Sequence, residues 1–60
     1  MKIHEMGFGE IKKIANEIIG LLAQSDKEIL TDLIEKTEND PMNISWLRIY
    51  LQNCLDKLGL

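Results

Sequence analysis

Sixty residues with a net charge of −3 allow one small domain with a marginal core, because so short a chain buries only about 60% of its unfolded surface. Hydrophobic residues at 45% and charged residues at 28% are typical of a globular chain and exclude a disordered one. One cysteine and one histidine exclude an intrachain disulfide and a Cys/His metal site, which leaves helix packing and oligomerisation to stabilise the fold.

The first ten residues contain no apolar run, which predicts neither a signal peptide nor a membrane span. The free cysteine agrees with a reducing compartment, so we expect a cytoplasmic protein that makes no membrane contact. Residues 1–7 have no helical period and form a lead-in, in which Ile3 either packs on the body or stays frayed.

The first predicted helix covers residues 8–24, where apolar residues recur at helical spacing. Gly7 is its expected N-cap, and Met6 and Ile11 occupy the two positions of a hydrophobic staple. Gly20 lies inside this helix at a cost of about 1 kcal/mol relative to alanine.

The second predicted helix covers residues 26–38 and follows a capping box. In that motif the Ser25 hydroxyl accepts from the backbone N–H of Glu28, whose carboxylate reaches back. One continuous helix over residues 8–38 is the alternative, because the apolar faces of the two segments are nearly in phase. We favour a break at Ser25, since a continuous helix would direct Ser25 and Asp26 to the core.

The connection to the third helix contains Pro41, and the residue before a proline disfavours helical geometry. Asp40 can cap the next helix with Pro41 at its first position, and Asn43 is a later alternative cap. The third predicted helix covers residues 42–58, with Gly59 as its C′ residue.

The third helix is apolar over most of its circumference. One stripe at helical spacing consists of Ile44, Leu47, Leu51, Cys54, Leu55 and Leu58. Trp46, Tyr50 and Ile49 widen the apolar arc to roughly 240°, where roughly 100° suffices for a surface helix. This helix therefore needs neighbours on more than one side. We expect an all-α, small three-helix bundle with the third helix between the other two; the alternative is a helical hairpin that dimerises into a four-helix bundle.

No residue grouping indicates catalysis. Cys54 lies in the middle of the apolar stripe, where a thiol is a small buried hydrophobe, and His4 lies in the lead-in. The acidic residues lie on helix surfaces, and so short a chain rarely encloses a substrate pocket. We therefore expect no enzymatic activity, no cofactor and no metal.

Two surfaces are candidates for binding a partner. Trp46, Ile49 and Tyr50 form a patch of residue types that anchor interfaces, unless helix one or two covers them. A row at i, i+4 and i+7 on helix two carries like charges: Glu28, Asp32 and Glu35. This row is either a solvated face or a docking strip for a basic partner.

These features predict a small non-enzymatic regulatory protein that binds or masks a protein partner as a homodimer. In size and charge the chain resembles small helical regulators of bacteria and phages. The alternative is a helix-turn-helix-like regulator that binds nucleic acid through the last helix, using Ser45, Arg48, Gln52 and Asn53. The absence of clustered lysine or arginine makes nucleic acid the less favoured partner.

Overall fold

Three α-helices make up most of the computed structural model, which describes residues 3–60. They are α1 (Phe8–Ile18), α2 (Gln24–Asn39) and α3 (Ile44–Leu58). Short 3-10 helices cover Ile3–Glu5, Ile19–Leu21 and Pro41–Asn43. No strand occurs in the described range, and the predicted all-α three-helix bundle is confirmed. Met1 and Lys2, which belong to the expected lead-in, lie outside the described residues.

The core is built around α3, which packs against α1, α2 and the N-terminal 3-10 helix. Four members of its predicted apolar stripe are fully buried: Leu47, Leu51, Cys54 and Leu55. The other two members, Ile44 and Leu58, are half-buried at the ends of the helix. The facing side chains come from α1 and α2: Ile11, Ala15, Ile18 and Leu30. Each fully buried aliphatic side chain of this size contributes roughly 1.5–3 kcal/mol to stability.

The N-terminal segment is held on α3 by one apolar and one polar contact. Ile3 is 1% exposed and belongs to the core, so it packs on the body. The Arg48 guanidinium donates from Nε and Nη2 to the Met6 carbonyl oxygen, at 3.2 and 2.6 Å. Because Arg48 lies on α3, this pair of bonds fixes the residues that lead into α1.

The junction between α1 and α2 differs from the predicted one. The expected break between the two helices is confirmed and the single long helix is wrong, but the break occupies residues 19–23 and not Ser25, so α1 ends at Ile18 and not at residue 24. Leu22 has extended backbone, with φ −91° and ψ 152°, and its side chain is buried. Ala23 is the N-cap of α2 without a side-chain bond, so the predicted capping box does not form. Burial of Leu22 moves the chain reversal ahead of Ser25 and places Ser25 inside the first turn of α2.

The junction between α2 and α3 follows the prediction closely. The Asp40 carboxylate accepts from the Met42 backbone N–H at 3.1 Å, with Pro41 in the first turn of the 3-10 helix. The α-helix begins at Ile44, two residues later than expected, because that 3-10 turn precedes it. Gly59 ends α3 with a left-handed backbone (φ 76°), a conformation that favours glycine.

Candidate protein-binding surface

The face of α3 opposite the core exposes Trp46 and Ile49, and Met42 is exposed in the 3-10 helix just before α3. Met42, Trp46 and Ile49 are 84%, 65% and 56% exposed, and these three side chains are called here the outer stripe. At about 100° per residue, Trp46 and Ile49 project roughly 140–160° away from the buried Leu51. The third helix is thus apolar on two opposite faces, and the bundle covers one of them.

Tyr50, the third residue of the predicted patch, is half-buried and turned toward α2. Its hydroxyl donates to Asp26 Oδ1 at 2.7 Å, and Lys57 Nζ lies 3.5 Å from the same oxygen. The Tyr50 hydrogen bond, assisted by the Lys57 charge and opposed by desolvation, lowers the pKa of Asp26 below its ordinary value. The same bond raises the pKa of Tyr50 to about 12, with burial adding to the shift. Tyr50 therefore joins α3 to the start of α2 and does not belong to the outer stripe. The outer stripe includes Met42, which the predicted patch did not.

Cys54 is 1% exposed, as the apolar stripe predicted. Burial raises the pKa of its thiol, and the nearby Asp26 carboxylate adds to this effect. A thiol held protonated inside a core is a poor nucleophile, so Cys54 acts here as a small apolar side chain.

The acidic row lies on the exposed surface of α2, where Glu28, Asp32 and Glu35 are all exposed. Lys36 Nζ lies 2.9 Å from Asp32 Oδ2, the i, i+4 pair that partly offsets the like charges of the row. Gln24 Nε2 donates to Glu28 Oε1 at 3.4 Å. Every carboxylate of the row is accessible to a partner.

A shallow groove of about 260 Å³ borders the outer stripe. Its lining joins the N-terminal 3-10 helix to α3: His4, Arg48, Ile49, Gln52 and Asn53. Sequence reasoning missed this groove, because it forms only when Ile3 and the Arg48 bonds hold the N-terminal segment against α3. Three of the polar residues named for the nucleic-acid alternative line the groove, and Arg48 already donates two hydrogen bonds to Met6.

Within residues 3–60, no three potential metal-ligating side chains cluster. In the same range, no helix combines the length and the apolar character that a membrane crossing requires. No polar side-chain atom buried in this part of the chain lacks a hydrogen-bond partner. Trp46 and Ile49 of the predicted patch and all three members of the acidic row are exposed.

Comparison with known proteins gives no relative: none of the family models, curated proteins or solved structures compared with this chain matches it.

Proposed function

We propose that this chain is a small, non-enzymatic, cytoplasmic regulatory protein that binds or masks a protein partner and acts as a homodimer. The observation that carries the proposal is the second apolar face of α3. Large exposed apolar side chains in a contiguous row mark interaction sites on soluble proteins. Here the row contains the single tryptophan of the chain, a residue type that often anchors interfaces.

The small size of the chain supports the same proposal. A domain of this size rarely gains more than about 3–5 kcal/mol from its own core, and oligomerisation is a common supplement. Burying the outer stripe between two copies would remove its apolar surface from water, at about 25 cal/mol per Å². Homodimers usually close by a two-fold contact, in which the same patch of each copy is used.

The acidic row supplies a second surface for the partner that the dimer binds or masks. Its members lie on α2, whereas the outer stripe lies on α3 and the 3-10 helix before it, so one copy can use both surfaces at once. A basic partner suits this row, because complementary charge speeds association and fixes the orientation of the complex. In a dimer each row occurs twice, which strengthens binding to a partner that presents two basic sites.

Sedimentation of the wild type and of Ile49→Lys tests the homodimer. Ile49 is exposed in the single chain, so the lysine leaves the core intact and places a charge in the proposed contact. We expect the wild type to dimerise at micromolar concentration and Ile49→Lys to be monomeric. Asn16→Lys, which adds the same charge at an exposed position of α1, is the matched control and should dimerise. A wild type that stays monomeric at hundreds of micromolar would contradict the homodimer.

Co-purification from the native host tests the acidic row. The Glu28→Lys/Glu35→Lys variant should lose a basic protein that the wild type and Asn16→Lys both retain. If the double variant retains every partner of the wild type, the row is a solvated face.

Nucleic-acid binding is the alternative function, and two observations make it the weaker one. The net charge is −3, and the guanidinium of Arg48 is engaged with the Met6 carbonyl. Retention of the protein on DNA at low salt, lost steeply as salt rises, would favour this alternative over the protein-binding role.

A further inference from the structure

We propose that the groove beside Ile49 binds a small carboxylate, which pairs with the Arg48 guanidinium while an apolar group of the ligand lies against Ile49. The groove is formed within the single chain, between the N-terminal 3-10 helix and α3. The inference therefore goes beyond the proposed homodimer and does not depend on it.

The charge of Arg48 is the main observation behind this inference. Arg48 is the single arginine of the chain, it is half-buried, and its hydrogen bonds go to the neutral Met6 carbonyl. Three of the lysines lie within ion-pair distance of a carboxylate: Lys12, Lys36 and Lys57. No carboxylate in the described part of the chain lies that close to Arg48. Because a half-buried cation is less screened by water than an exposed one, an anion gains more from pairing with it.

The groove has enough hydrogen-bond donors for a carboxylate. A guanidinium has five N–H groups, and the Met6 carbonyl takes two of those of Arg48, so three remain. The planar guanidinium matches the two oxygens of a carboxylate, which a lysine ammonium does not. Asn53 adds a carboxamide NH₂ group to the lining, and His4 adds a ring N–H. These neutral donors supplement the charge of Arg48.

The carboxylates beside the groove belong to residues that do not line it. Asp56 Oδ1 accepts from Gln52 Nε2 at 3.0 Å, and Glu5 Oε1 lies 3.9 Å from His4 Nε2. Each is thus next to a polar side chain of the lining rather than part of the lining itself. The lining therefore carries a positive charge at Arg48 and no negative one.

The size of the groove limits the ligand to a few heavy atoms. Its volume of about 260 Å³ is below the range of roughly 300–1,000 Å³ that is typical of pockets for drug-sized ligands. Ile49, which is 56% exposed, is the apolar member of the lining. A short branched carboxylate such as isovalerate matches both properties. The same pair of groups occurs in two sources, a free short-chain acid and the C-terminal leucine of a protein.

NMR titration of the isotope-labelled chain with isovalerate tests the site. At millimolar concentrations we expect saturable shifts at the side-chain N–H groups of Arg48 and Asn53. Isovaleramide, which has the same shape and no charge, should give none. Asn53→Asp places a carboxylate in the lining at an exposed position and should weaken isovalerate binding about tenfold, because like charges repel. Asn16→Asp, the same change at an exposed position of α1, is the matched control and should bind like the wild type.

A short peptide with a free C-terminal leucine distinguishes the two sources. If the peptide binds more tightly than isovalerate and amidation abolishes its binding, the groove recognises a protein C-terminus; if isovalerate binds as tightly or more tightly, it recognises a free acid. The inference is overturned if neither ligand gives saturable shifts, if isovaleramide binds as well as isovalerate, or if Asn53→Asp binds like the wild type. Sedimentation decides the homodimer separately, so either proposal can fail while the other stands.

Discussion

The hydroxyl of Tyr50 on α3 donates a 2.7 Å hydrogen bond to the Asp26 carboxylate at the start of α2. Both groups titrate, and the hydrogen bond stabilises the protonated form of Tyr50 and the ionised form of Asp26. Tyr50 keeps its proton because Asp26 accepts a hydrogen bond from the hydroxyl, and Asp26 stays ionised because Tyr50 donates that bond. This contact joins the start of α2 to the middle of α3, between residues 24 positions apart in the chain.

Spectroscopic titration of Tyr50, the chain's single tyrosine, should give a pKa of about 12 in the folded protein and about 10 in denaturant. Because the folded value is the higher one, the stability that this bond contributes is complete below pH 10 and is lost as the pH rises toward 12. Asp26→Asn should bring the folded pKa back toward 10. An unchanged value in that variant would show that Asp26 is not the cause.

The contribution of Asp26 to folding stability depends on pH in the opposite sense, because it is lost at acid pH. Its folded pKa lies below the ordinary value of 3.8, so its contribution is complete above that pH and is lost as the pH falls through the folded value. Tyr50→Phe removes the donor, and we expect the melting temperature at neutral pH to fall by roughly 5 °C. The loss should shrink in strong acid. A fall in melting temperature of equal size at all pH values would indicate that Tyr50 stabilises the fold through packing and not through this hydrogen bond.

Cys54 should react with a thiol reagent roughly a hundredfold or more slowly in the folded protein than in denaturant. The thiol is buried, and it becomes accessible only when the bundle opens. Rates should be followed by the release of a coloured thiol product in buffer and in denaturant. Equal rates in the two solutions would place Cys54 on the surface.

Leu51→Ala should unfold most of the protein at room temperature. Leu51 is fully buried in the middle of α3, and such truncations cost about 2–5 kcal/mol, a loss comparable to the whole stability of so small a domain. Met42→Ala, at an 84% exposed position, is the matched control and should change the stability of the single chain by less than about 0.5 kcal/mol. Circular dichroism during denaturant unfolding, at a concentration below the dimer range, compares the two variants.

Arg48→Met should release the N-terminal segment without melting the bundle. The variant keeps the apolar stem and removes both bonds to the Met6 carbonyl. The Met6 amide, which donates to the Ile3 carbonyl at 3.1 Å, should then exchange its hydrogen faster, while amides in the centre of α3 keep their protection. Faster exchange throughout α3 would mean that Arg48 supports the core rather than the segment.

Local rules account for the parts of the fold that could be predicted from the sequence. The helical period identified the buried stripe of α3, since the same side chains face inward wherever the neighbouring helices lie. The cap at Asp40 and the stop at Gly59 were predictable too, because each depends on the backbone within a few residues.

The remaining features depend on tertiary contacts and could not be predicted. The capping box at Ser25 has the right residues, yet burial of Leu22 moves the start of α2 ahead of it. Tyr50 is of an interface-forming type, and its partner Asp26 lies 24 positions earlier, which no local pattern reveals. The groove beside Ile49 likewise requires the N-terminal segment to be in place.

The order of the helices has a consequence for biosynthesis. The main contacts of α1 and α2 are with α3, and the direct bond from Lys12 Nζ to Glu38 Oε1 is an exposed pair of small value. During translation, α1 and α2 leave the ribosome before the helix on which they pack exists. Their apolar faces therefore stay uncovered until α3 has been synthesised, and the bundle folds after residues 44–58 have emerged.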